Sequence, residues 1–299
     1  MIKHLLLAHF AFCTLVNNID IQFKPDGSVV IPNVVVRGLI DPTHDALLTI
    51  AQYLGINVGS RDIDSEITGE MIAENGFRVE PGIAGIAVSP ALNSRIYFGI
   101  GPGSALLNRY GSISVLKTSP NNGSLIMGDS ESSFRIFCVP DSVISLPYHR
   151  MEWRFVVQMQ YWLNFASGES TVHEQSNRFP SLISSSSDKM LTVPLSMADA
   201  IINIITGTGA TSDTRGVFSN CSRESVIERL PVMQLRQSSS AIVLYPDDYM
   251  TFDDEGNECG FNFNIPDSRW ADVTINPLRF PSVNVHITGR EIFICDTWA

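Results

Sequence analysis

The sequence predicts an all-β protein. Three observations carry this reading. Charged residues make up only 17% of the 299 positions, Val and Ile recur in short runs broken by Gly, Pro, Ser and Asn, and few stretches have helical spacing. This texture suits strands joined by tight turns better than a helical bundle. With 44% hydrophobic residues, the chain is long enough for one large domain or for two compact lobes with sizeable cores.

The elements follow in order. Ile19, Ile21 and Phe23 alternate, Pro25-Asp26-Gly27 turns the chain, and Val29, Val30, Val34, Val35 and Val36 resume, which predicts a hairpin. Ala46, Leu47, Ile50, Ala51 and Leu54 have helical spacing between Asp45, an N-cap residue, and Gly55, a stop. A second short helix is expected over 104–111. A strand then carries Ile113, Val115 and Leu116, Asn121-Asn122-Gly123 supplies a hairpin turn, and Leu125 begins the return.

Composition loosens between Pro140 and Pro147, and strand character restarts at Trp153. This puts a boundary between an N-terminal unit, 18–147, and a C-terminal unit, 148–299. The later unit holds a clear helix, with Ser196 as N-cap, Asp199 at the capping-box position, and Ile201, Ile202, Ile204 and Ile205 before Gly207. Strands are expected around 232–235, 242–244, 261–263, 283–287 and 292–294. No repeat of fixed short period is present.

A net charge of −11 without any cluster of Lys and Arg excludes nucleic acid as the partner, because phosphate binding needs concentrated positive charge. Met1-Ile2-Lys3-His4 followed by an apolar run over 5–16 has the form of a signal peptide, assigned to 1–17. A spanning helix needs about 20 apolar residues, and no later run reaches that length. The expected destination is secretion to the extracellular space, and the acidic composition also fits an acidic compartment.

Cys13 lies inside the signal segment, leaving Cys138, Cys221, Cys259 and Cys295. An even number in an exported protein predicts two disulfides, and the spacings leave the three connectivities open. No Cys or His spacing suits zinc, so no metal is expected. Asn122-Gly123-Ser124 and Asn220-Cys221-Ser222 are glycosylation sequons, making Asn122 and Asn220 candidate acceptors.

The sharpest stretch runs from Cys221-Ser222 through Leu230-Pro231, the alternating Val232-Met233-Gln234-Leu235 and Leu244-Tyr245-Pro246-Asp247-Asp248-Tyr249 to Cys259-Gly260-Phe261. That order is similar to the C-terminal lobe of pepsin-like aspartic peptidases. Gly82-Ile83-Ala84-Gly85-Ile86-Ala87 resembles the family's Gly-Ile-x-Gly-Leu segment, and Ser124-Leu125-Ile126-Met127-Gly128-Asp129 its Gly-rich strand end. Val139-Pro140, Trp153 and the segment from Val283 through Thr288-Gly289-Arg290 to Ile294 then fall in the family's order. The resemblance is collinear from about Val29 to Ile294. It implies a bilobal acid-protease fold with a few short helices and a shortened N-terminal lobe. It also implies a Cys221–Cys259 bridge; Cys138 and Cys295 are candidates for a second, with their pairing open.

An aspartic peptidase needs one carboxylate from each lobe, close enough to share a proton and activate a water. Each carboxylate of the resembled family sits in an Asp-Thr/Ser-Gly turn after an apolar strand. Asp41 holds the first such position, in Gly38-Leu39-Ile40-Asp41-Pro42-Thr43-His44. Pro42 and Thr43 replace the usual Thr and Gly, so Asp41 reads equally as an ordinary turn carboxylate. In Leu182-Ile183-Ser184-Ser185-Ser186-Ser187-Asp188, the second position falls on Ser185, which has no carboxylate. Asp188 lies three residues on, about 10 Å of extended chain away, and reads better as a solvated residue beside Lys189 than as a substitute. The stretch from Asp41 to Gly82 is also shorter than the family's, and it lacks a Tyr-Gly-Thr-Gly tip for a closing flap.

Among the histidines, His44, His149, His173 and His286 show no relation in sequence to a nucleophile, and no Gly-x-Ser-x-Gly elbow surrounds the serine run. Gly99-Ile100-Gly101-Pro102-Gly103 is a turn rather than a nucleotide loop, having no following Lys-Ser/Thr. The expected function is therefore that of an inactive, secreted pepsin-like protein that needs no cofactor and binds a peptide or protein in the cleft or on its surface. A divergent active endopeptidase and a secreted structural or antigen-like protein are the alternatives.

Overall fold

The computed structural model describes residues 17–23, 29–30, 37–41, 86–89, 95–99, 107, 110–119, 121–149, 154–155, 159–174, 181–182, 189–214, 216–253, 257–266 and 274–297. The chain begins with β1 (Asn17–Phe23), β2 (Val29–Val30), β3 (Arg37–Asp41), β4 (Ile86–Ser89), β5 (Arg95–Gly99), β6 (Ser112–Ser119) and β7 (Asn122–Met127), followed by helix α1 (Glu131–Arg135). Next come β8 (Ile144–His149), β9 (Arg154–Phe155), β10 (Gln160–Asn164), β11 (Ser170–Glu174), β12 (Ser181–Leu182) and β13 (Leu191–Thr192), leading into α2 (Leu195–Thr206). The remainder runs β14 (Thr211–Thr214), β15 (Val217–Ser219), α3 (Arg223–Val226), β16 (Val232–Gln237), β17 (Ser240–Leu244), α4 (Pro246–Tyr249), β18 (Met250–Asp253), β19 (Glu258–Phe261), β20 (Phe263–Asn264) and β21 (Thr274–Ile275). A 3-10 turn (Pro277–Arg279), β22 (Val283–Thr288) and β23 (Glu291–Asp296) close it. The chain is thus predominantly β, with few helices among the described residues.

Most strands join one long sheet ordered β20-β13-β21-β12-β9-β8-β23-β22-β6-β7-β1-β2-β3-β5-β4, and two four-stranded sheets, β11-β10-β16-β17 and β14-β15-β19-β18, stand beside it. The centre of the long sheet is closed by strands distant in sequence: β22 pairs with β6, His286 opposite Ser114, and β23 pairs with β8, Phe293 opposite Ser145. β6 and β22 each present five consecutive buried residues, the signature of strands covered on both faces. One face packs on the main core, with Ile113, Val115, Val285 and Ile287. The other packs on a small second core of Leu116, Ile126, Phe134, Phe293 and the Cys138–Cys295 pair. β10 and β16 alternate buried and half-buried positions instead, so one face is covered.

The same three-strand pattern occurs twice. β5 lies between β3 and β4, parallel to β3 (Ile40 opposite Phe98) and antiparallel to β4 (Val88 opposite Ile96). β21 lies between β12 and β13, parallel to β12 (Leu182 opposite Ile275) and antiparallel to β13 (Leu191 opposite Ile275). In each case the last strand in the chain inserts between the two earlier ones. This repeat is one of topology, which is why a scan for residue periodicity does not see it.

Among the described residues the expected strands and the later helix are present with local differences. The turn of the β6–β7 hairpin sits one residue earlier than Asn121-Asn122-Gly123 suggests, because Asn122 already pairs with Ser119, whose hydroxyl accepts from the Asn122 backbone N–H at 3.1 Å and from its side-chain amide at 3.2 Å. Gly123 serves close approach rather than the turn: a Cβ there would lie 2.2 Å from the Leu116 carbonyl oxygen and 2.7 Å from the Phe23 ring. Gly111 does end a helical turn, at φ +80°, donating its N–H to the Leu107 carbonyl. The loosened composition at 140–147 becomes strand from Ile144, so the position between 147 and 148 lies inside β8.

Ser196 is not the cap of its helix. Pro194, fixed at φ −57°, caps α2 two residues earlier, and its carbonyl accepts from the N–H groups of Met197 and Ala198. Met197, Ala198, Ile201 and Ile205 then form the buried stripe. The helix expected over 45–54 lies outside the described residues, as does the segment 82–85.

Ile275, fully buried between β12 and β13, is a position where a cavity would be costly. Ile275→Ala should lower the unfolding free energy by about 3 to 5 kcal/mol. Ile205 is as buried but sits in the last turn of α2, where the helix end can relax into the space, so Ile205→Ala should cost less, about 2 to 3 kcal/mol. Urea unfolding of both variants checks the difference.

Candidate functional site

Of the sequence-selected catalytic positions, Asp41 alone is among the described residues. Asp41 is the last residue of β3 and stands opposite Gly99 in the parallel ladder with β5. Ser185 and Asp188 lie outside the described residues, but the ends of their loop are described. The chain leaves β12 at Leu182 and re-enters β13 at Leu191, and both residues pair with Ile275 from opposite sides. The returning arm is tied down further. Lys189 Nζ donates to the Phe261 carbonyl at 2.6 Å, Met190 N–H donates to the Asn262 carbonyl at 2.9 Å, and Asn276 N–H donates to the Met190 carbonyl at 2.7 Å.

The cysteines form two bridges. Cys221 bonds Cys259 across 38 residues, joining the approach to α3 to β19, and Cys138 bonds Cys295 across 157 residues, joining the end of α1 to β23. Loop closure of these lengths stabilises the folded chain by on the order of 4 kcal/mol per bridge. Asn220, beside the first bridge, is exposed at φ +55°, and Asn122 is exposed at the start of β7.

Several buried ionisable groups were invisible to motif reading. Lys117 donates its ammonium to the carbonyls of Phe280 and, at 3.3 Å, Leu278, and lies 5.0 Å from the centre of the Phe23 ring. Burial, reinforced by Arg279 and opposed by Asp248, brings its pKa down to about 7. Asp296 accepts from the Val243 N–H at 3.0 Å through Oδ2, while Oδ1 is buried without a protein partner. Burial pushes this carboxyl up to about 7 against the favourable Val243 bond, with Asp248 adding to the rise. Asp129 likewise has one buried carboxyl oxygen without a protein partner.

The histidines correct the sequence reading, since two of them meet a serine hydroxyl. Ser114 Oγ is 2.7 Å from His286 Nδ1, both almost fully buried, with Phe134 stacked on the imidazole at 5.2 Å. Burial pulls the His286 pKa down, opposed by Asp129 and Glu131. Ser196 Oγ is 2.8 Å from His173 Nδ1 at the surface. The only sequence signal for the first pair was a polar residue inside each apolar run, Ile113-Ser114-Val115 and Val285-His286-Ile287. The strand register that joins them is tertiary. His44 lies outside the described residues.

Among the described residues no three His, Cys, Asp or Glu side chains converge as metal ligands, and no helix is long and apolar enough to cross a membrane. A groove of about 200 Å³ beside Cys259, bounded by Val217, Phe252, Asp253 and Glu258, is smaller than the roughly 300 Å³ at which small-molecule pockets begin. No family model matches the chain, and no curated protein matches it.

The buried charges set a pH dependence. The folded pKa of Asp296 is raised above its unfolded value, so its contribution is full below about pH 4 and is lost as pH rises through about 7. The folded pKa of Lys117 is depressed, so its contribution is present above about pH 10 and is lost as pH falls through about 7. The two together place a stability minimum near neutrality. Asp296→Asn keeps an acceptor for Val243 and removes the charge. The decline in unfolding free energy between about pH 4 and 7 should therefore shrink by on the order of 1 to 2 kcal/mol, read by urea unfolding across that range.

Proposed function

We propose that the chain is a secreted protein of pepsin-like bilobal architecture that binds a peptide or protein and does not cleave it. In this reading residues 1–17 are the export signal, 18–147 form the N-terminal lobe and 148–299 the C-terminal lobe. The observation that carries it is the repeated three-strand pattern. In sequence, Asp41 ends the first strand of one copy and Ser185 follows the first strand of the other by three residues, which supports reading them as the two positions that the family resemblance pairs. Collinear sequence features of the pepsin-like family support the same assignment.

The chemistry follows from the residue types. A shared-proton dyad requires two carboxyl groups a few ångströms apart, one ionised and one neutral. A serine hydroxyl does not ionise in the working range and cannot hold the negative charge that turns a bridging water into a nucleophile. In this reading an extended chain is bound between the two lobes without hydrolysis, and a single carboxylate at Asp41 would serve as a hydrogen-bond acceptor for it. Two disulfides fit an oxidising, extracellular destination.

Purified protein incubated with denatured haemoglobin at acid pH should release no peptides above a pepstatin-treated control. Immobilised peptide libraries should retain the protein, with retention reduced several-fold by Asp41→Ala. Pepstatin-sensitive cleavage that disappears in Asp41→Ala would show an active endopeptidase and refute the reading.

A further inference from the structure

The surface pair Ser196–His173 belongs to neither inserted strand, and its geometry is that of a nucleophile beside its base. Ser196 Oγ lies 2.8 Å from His173 Nδ1, within proton-transfer reach, and Ser196 is exposed. Its counterpart Ser114–His286 has equally short geometry but is sealed in the sheet, where no substrate can enter.

Three features of the surroundings bear on reactivity. First, Ser196 is the second residue of a twelve-residue helix whose N-cap, Pro194, has no side-chain acceptor and makes no side-chain capping bond. The Met197 and Ala198 N–H groups are taken by the Pro194 carbonyl, and the positive end of the helix still lies beside the hydroxyl, where it favours negative charge. Second, desolvation lowers the His173 pKa, which keeps the imidazole neutral and able to accept a proton at neutral pH. Third, His173 Nε2 is buried without a hydrogen-bond partner, so no carboxylate among the described residues backs the ring through that nitrogen. Tyr161, directly opposite His173 in the β10–β11 ladder, is fully buried with its hydroxyl also unpartnered.

We propose that Ser196 and His173 form an acyl-accepting dyad that takes the acyl group of small activated carboxylic esters. Ser196 Oγ attacks the ester carbonyl carbon while its proton passes to His173 Nδ1. The bond from the carbonyl carbon to the leaving oxygen breaks, and the leaving alcohol carries that proton away. Water then attacks the Ser196 ester by the same route, releasing the carboxylic acid and restoring the hydroxyl. Without a carboxylate to stabilise the imidazolium, this second step is slow and the acyl-serine accumulates.

The test is reaction of the intact, disulfide-bonded protein with p-nitrophenyl acetate, followed by peptide mass spectrometry. The expected result is a burst of nitrophenolate close to one equivalent and an acetyl group on Ser196. His173→Gln retains a hydrogen-bonding partner for Oγ but cannot take a proton. It should acetylate Ser196 at least about tenfold more slowly, within the range that general-base assistance supplies, with an unchanged unfolding midpoint. Wild-type protein that remains unmodified at Ser196, or acetylation at the same rate in His173→Gln, overturns the proposal. The wild-type measurement alone decides the first outcome, so a folding defect in the variant cannot mask it.

Discussion

Ile275 is held between Leu182 and Leu191, and the rest of the later fold depends on that insertion. A two-residue strand has little stability of its own. It persists here because both its neighbours are backbone-paired to it and because its inward side chain is wholly buried. The pairing is non-local: β12 and β13 must wait for a strand that follows them far along the chain. Such closure costs chain entropy before any contact repays it. The Cys221–Cys259 bridge shortens the wait by drawing in the intervening segment, since β19 runs directly into β20, which pairs with β13. The first copy of the pattern meets the same constraint, with β5 inserted between β3 and β4.

Joining the early and late strands requires a centre that tolerates burial from both sides. β6 and β22 supply it with aliphatic residues toward the main core. Toward the second core they carry Ser114 and His286, which satisfy each other beneath Phe134. Lys117 extends the join, its backbone N–H donating to Asn284 Oδ1 at 2.7 Å and its ammonium donating to the 3-10 turn that precedes β22. These polar links resist sliding of β22 along β6 in a way that an apolar ladder would not. Burial in this join brings the Lys117 pKa down toward neutrality.

Much of the fold was legible because strand and turn residues act locally. The alternation in β16, the Gly111 stop and the apolar runs of β22 and β23 follow from side-chain periodicity and backbone preference. Errors arose where a neighbour outside the window decided. Ser196 looks like a helix cap until Pro194 starts the helix earlier and His173 takes the hydroxyl. Asn122-Gly123 looks like a turn until Phe23 and Leu116 occupy the space above Gly123. The three-strand repeat left no residue periodicity at all, being a property of pairing order. Of the site, Asp41 and Ser185 were selected by their place in the pattern of the resembled family. The Ser–His pairs could not, because each joins strands or a helix whose register the sequence does not display.

Equivalence of Asp41 and Ser185 across the two frames is the central claim, and carboxyl titration tests it most directly. In ¹³C-labelled wild-type protein, Asp41 should titrate in one step. In Ser185→Asp the two carboxyls would share a site, and the pair should titrate in two separated macroscopic steps, one of them raised by about a unit or more. An Asp41 titration unchanged by Ser185→Asp in the folded variant would mean that the two positions do not face each other, contradicting the account.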